Sequence, residues 1–87
     1  MTMERLAMLA ELREWERSRR TAQAALAPLE AEAVKVRESG AVLSLQLCQQ
    51  MEQTRTQLRM ATARSTQVAH RIARLDAEEA AAGEGVN

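Results

Sequence analysis

VRESGAVLSL, residues 36–45, decides how this chain folds, because the hydrophobic repeat changes phase there. Before it, Met8, Leu12, Trp15, Arg19, Ala22, Leu26, Leu29, Ala33 and Val36 recur at alternating steps of four and three, a heptad seam broken only by Arg19. After it, Leu47, Met51, Thr54, Leu58, Ala61, Ser65, Val68, Ile72 and Leu75 repeat the alternation, with Thr54 and Ser65 as its polar members. Between the two runs the seats fall at 36, 40 and 44, so one extra residue enters the repeat at Ser39-Gly40.

The two seams match when residue i is set against residue 80 − i, an antiparallel pairing centred on Gly40. In that register Trp15 faces Ser65, Arg19 faces Ala61, Ala22 faces Leu58 and Ala33 faces Leu47, so large side chains meet small ones. Charges agree, with Glu4 and Glu11 flanking the seam beside Arg64 and Arg71, and Glu30 near Arg55. The pairing fits an all-α antiparallel two-helix coiled-coil hairpin, and equally a long helix crossing a second copy in an antiparallel dimer.

Local chemistry favours the hairpin. Gly40 can adopt positive φ as a helix stop, and Lys35 and Arg37 suit the C-terminus before it. A straight helix of about 80 residues would be roughly 120 Å long and would carry both a Pro and a Gly. Against the hairpin, residues 41–45 hold no acid to favour a new helix N-terminus. The expected organisation is one domain over residues 1–82, with arms 3–38 and 41–82, and a disordered tail at 83–87. Thr2 is the expected N-cap, Gly83 the expected stop, and Pro28 lies on the outer side of the first arm, where it removes one backbone bond without needing to end the helix.

Composition narrows the function classes. Among 87 residues there is no Phe or Tyr, one Trp, and twelve basic side chains balanced by twelve acidic ones. Zero net charge withholds the positive field that nucleic-acid and anionic-membrane binders carry. No apolar run approaches a membrane span and no signal-peptide pattern opens the chain, so the expected location is the cytoplasm. The glycines at 40, 83 and 85 form no phosphate loop, and no His/Cys/carboxylate cluster has metal spacing. Cys48 reads as a semi-buried filler near the turn, and Ser65, His70 and Asp76 do not point together as a triad. No enzymatic activity, cofactor or small-molecule substrate is therefore expected. Arg55, Arg59, Arg64, Arg71 and Arg74 crowd the second arm without an acid among them, yet divide between its two sides, so an RNA- or DNA-binding hairpin is the less favoured alternative.

More telling are apolar residues that the seam does not use. Val34, Val42, Leu43 and Leu45 gather around the turn, and Met3, Leu6 and Leu9 widen the stripe at the open end. A two-helix hairpin cannot bury all of them, so either a protein partner or self-association into a four-helix bundle should cover them.

The runs LAELREWERSRRTAQAALAPLEAEA and TQLRMATARSTQVAHRIARL, with leucine/arginine heptads and an alanine-rich middle, resemble the coiled-coil stalk proteins of flagellar and type III secretion export. The resemblance covers the whole chain in heptad texture and includes no diagnostic motif; members of that family have longer arms. It implies an antiparallel coiled coil that acts as an adaptor, docking on an export ATPase or escorting secretion chaperones.

Overall fold

Thr2 opens the first helix. Its backbone is extended, and its hydroxyl accepts a hydrogen bond from the backbone N–H of Arg5 at 3.2 Å, satisfying one of the donors that a helix start leaves free. The computed structural model describes residues 2–84. Helix α1 runs Met3–Glu38, matching the expected first arm, and α2 runs Leu45–Glu84. The two pack antiparallel into a rod of 71 × 18 × 15 Å. Pro28 lies on the exposed side of α1, and the helix continues through it.

Gly40 makes the turn, with φ +80°. Its N–H donates to the carbonyl of Arg37 at 3.0 Å and that of Ala41 to Val36 at 3.2 Å, the paired bonds of a Schellman cap. The Ser39 hydroxyl adds a bond to the Val36 carbonyl at 2.7 Å. A Cβ at Gly40 would meet nothing within 4 Å, so only the backbone conformation resists a side chain there. Gly40→Ala should therefore cost about 1 kcal/mol, read as a melting temperature lower by roughly 4–8 °C.

The second arm starts later than expected. Residues 41–44 are not helical, and α2 begins at Leu45 rather than 41. The missing acid is replaced by a hydroxyl: Ser44 Oγ accepts from the N–H of Leu47 at 3.1 Å, and the Ser44 carbonyl accepts from Cys48 N–H at 3.1 Å. At the other end the helix passes through Gly83 to Glu84, so Gly83 is not the stop. Of the tail expected at 83–87, residues 85–87 lie outside the described residues.

Burial follows the two seams. All eight buried hydrophobic residues among those described, Ala22, Leu26, Ala33, Leu47, Met51, Ala61, Val68 and Ile72, are seam members. The other ten members, Arg19 among them, are half-buried. Near the turn Ala33, Leu47 and Met51 form a cluster with Leu29 against it, as the 80 − i register requires. Further along, Glu30 meets Arg55 at 3.8 Å and Glu11 meets Arg71 at 3.7 Å, holding that register along the rod. The polar seam members satisfy themselves locally. Thr54 Oγ1 donates to the Gln50 carbonyl at 2.8 Å and Ser65 Oγ to the Thr62 carbonyl at 3.0 Å, so neither needs a partner across the seam.

One cross-strut was not expected. Arg5 sits seven residues before Leu12, one seat ahead of where the seam was begun, and its guanidinium reaches Asp76 at 2.8 Å from Nε and 3.3 Å from Nη2. This bidentate bond holds the Asp76 carboxyl below its ordinary value of 3.8 and raises the Arg5 pKa further, with Glu79 adding a smaller attraction. A depressed carboxylate pKa stabilises the fold above the ordinary value, and the contribution is lost as pH falls through the folded-state value. Asp76→Asn should therefore melt below the wild type at neutral pH, and the gap should close as pH falls below 3.8.

Candidate docking surfaces

Around the turn, Val34 is 48% exposed, Leu45 74% and Val42 92%. Val34 and Leu45 come within one residue of level across the two helices in the 80 − i register, and Val42 lies in the connection between them, so the three gather at the tip of the rod. Leu43 does not join them. It was expected off the seam, but its side chain packs against the cluster of Ala33, Leu47 and Met51. The reason is the non-helical run after Gly40, which frees Leu43 from the helix phase and lets it fold over the end of the core. Cys48, expected to be semi-buried, is exposed.

At the open end Met3 is 82% and Leu6 47% exposed, while Leu9 is half-buried beside the seam. In the 80 − i register Met3 comes level with residue 77, so the last two turns of α2 run past the start of α1.

Two grooves lie between these ends. One, of about 420 Å³, is lined by Trp15, Ser18, Thr21, Ala25, Gln57 and Met60, among others, and so draws on both helices. Trp15 is half-buried, its ring forming part of the wall, and Met60 is 56% exposed. Met60 was not among the expected contact residues. Its signal was an apolar side chain at an outward position, next to the seam member Ala61. The other groove, of about 710 Å³, runs along α2 and is lined by Gln67, His70, Arg71, Ala73 and Arg74.

The arginines of α2 divide by partner as well as by side. Arg55 pairs with Glu30, Arg71 with Glu11, and Arg59 with Glu52 of its own helix at 3.2 Å. Among the described residues no carboxylate lies within 4 Å of Arg64 or Arg74. No group of three or more metal-ligating side chains is present among the described residues, and no helix among them is long and apolar enough to cross a membrane. Ser65, His70 and Asp76 serve separate contacts, Ser65 bonding its own helix and Asp76 bonding Arg5. The molecule is thus an elongated helical hairpin with exposed apolar side chains suited to protein contacts or self-association. No family model matches the chain, and comparison with curated proteins and with solved structures returned no match.

Proposed function

We infer that this chain is a non-enzymatic helical-hairpin adaptor or assembly protein that works in the cytoplasm and grips a protein partner at its tip. The reading rests on Val34, Val42 and Leu45, exposed together where the seam comes to its end at the tip of the hairpin. A tip contact uses few residues, and a few fully desolvated residues carry most of the energy of such an interface. The heptad texture extends the proposal to a secretion or export apparatus, where a rod of this shape would dock on the export ATPase or escort chaperones.

The tip can be tested without disturbing the rod. Asp at position 45 would stand in the first turn of α2, where an acid is favourable, and Val42 is outside both helices. The double variant Val42→Asp/Leu45→Asp should keep its helicity and melting temperature, yet retain a partner captured from the native cell at least tenfold less well. Capture of the same proteins in equal yield by the wild type and the double variant would overturn the adaptor reading.

A further inference from the structure

A rod exposes more surface than a rounded protein of its mass. The chain presents 6511 Å² to solvent, whereas a folded monomer of 9.7 kDa presents about 5,100 Å². The excess, on the order of 1,400 Å², exceeds the roughly 800 Å² that each partner covers in a standard stable interface. One long side of the rod is built to use it. Ser18, Thr21, Ala25, Gln57 and Met60 share the groove on that side. Glu11 and Glu14 lie seven residues before Ser18 and Thr21, and Arg64 and Arg74 lie seven and fourteen after Gln57 and Met60, so heptad spacing sets all four on the same side. The observed Glu11–Arg71 pair bridges the two helices there. The side therefore carries acids on α1 and arginines on α2 toward the open end, and in the middle the groove, whose one charged lining residue, Arg17, lies at its edge and pairs with Glu14 of its own helix.

We propose that this side is the interface of a homodimer in which two hairpins stack face to face with their tips at the same end, forming a four-helix bundle. A two-fold axis along the rod lays α1 of each copy over α2 of the other, so that residue i comes level with residue 80 − i of the second copy. Arg64, Arg71 and Arg74 then come level with positions 16, 9 and 6, each two residues from Glu14, Glu11 and Glu4 respectively. Met60 comes level with position 20, over the groove between Ser18 and Thr21 of the second copy. The opposite stacking, with tips at opposite ends, lays α1 on α1 and α2 on α2. It sets Met60 against Met60 and Arg64, Arg71 and Arg74 against Thr56, Gln49 and Gln46, and it lays Glu11 and Glu14 level with Leu29 and Leu26, leaving the arginine row and these two acids without opposite charges at their level.

The inference rests on the chain being a protein-contact hairpin, but it uses a side away from Val42 and Leu45, so the two can fail separately. Glu14→Arg and Arg64→Glu provide the test, because both side chains are exposed and the Glu14–Arg17 pair at 3.3 Å lies on the surface within one helix. By sedimentation at micromolar concentration the wild type should be a dimer, and each single variant should associate at least tenfold more weakly with helicity unchanged. An equimolar mixture of the two should restore a dimer of mixed mass, since each new charge then meets its opposite at both sites. A spin label at Val42→Cys in a Cys48→Ser background should report a short distance between chains, on the order of the roughly 10 Å between packed helices plus the label arms, not one near the 71 Å length of the rod. A monomeric wild type, single variants that dimerise normally, a mixture that does not recover, or a long distance between tips would each overturn the proposal. Loss of the dimer with tip capture intact would remove this inference alone; the converse would remove only the adaptor reading.

Discussion

Ala61→Glu should unfold most of the hairpin at a temperature the wild type survives, while Arg59→Glu should leave it almost unchanged. Ala61 is 3% exposed and occupies the seam opposite Arg19, with the Ala22–Leu58 and Trp15–Ser65 layers on either side. Four added heavy atoms, a methylene carbon and a carboxylate, overpack that layer, and the charge is taken out of water. The combined cost is about 3 kcal/mol or more. For a domain of this size that corresponds to a melting temperature lower by roughly 15 °C. Arg19 is half-buried and could pair with the new acid, which limits the loss without supplying the missing space. At position 59 the arginine is exposed and gives up only surface contacts, its pair with Glu52 and a hydrogen bond to the Thr56 hydroxyl, together worth about 0.5–1 kcal/mol. Thermal melts followed by helicity check the comparison, and equal melting temperatures for the two variants would mean that Ala61 does not sit in the seam.

The second large effect is a distance. Spin labels at residues 20 and 60 of one chain should lie on adjacent arms, roughly 10 Å apart between backbones, where an unbroken helix would hold them about 60 Å apart. In a face-to-face dimer, residue 20 of one copy also lies near residue 60 of the other, so the doubly labelled chain is diluted with excess unlabelled chain before measurement. The short distance should survive dilution, because both labels ride on the same hairpin; its disappearance would show that the arms come from different chains.

Periodicity carried most of the fold. Every seam position read from the heptads is buried or half-buried, and the 80 − i register appears in the cluster at Ala33, Leu47 and Met51. Such positions are legible because a coiled coil makes burial depend on residue spacing more than on any long-range feature. The connection was harder to read. Ser44 brings no charge to mark the helix start, although its hydroxyl caps the helix by accepting a backbone N–H. Continuing the helix from residue 41 sets Leu43 off the seam, and four non-helical residues are enough to turn it against the core. Arg5 escaped because a charged side chain one seat beyond an apolar seam looks like its end, whereas its length lets it reach Asp76 across the open end of the rod. Of the expected contact residues, Val34, Val42, Leu45, Met3 and Leu6 are exposed, and Leu43 and Leu9 are drawn inward. Met60 carries only a weak signal, an apolar side chain at an outward position beside Ala61, and spacing does not show that it lines a groove.

Because α1 starts and α2 ends at the same end of the rod, the hairpin has a mechanical polarity. A force applied between Thr2 and Glu84 would load the Arg5–Asp76 strut first and then open the layers one after another toward Gly40, as a zipper opens, never shearing the whole seam at once. A load pressing on the tip would instead run down both helices along their axes. The same molecule would then yield to a pull at its base and stand firm as a strut when pushed from its tip.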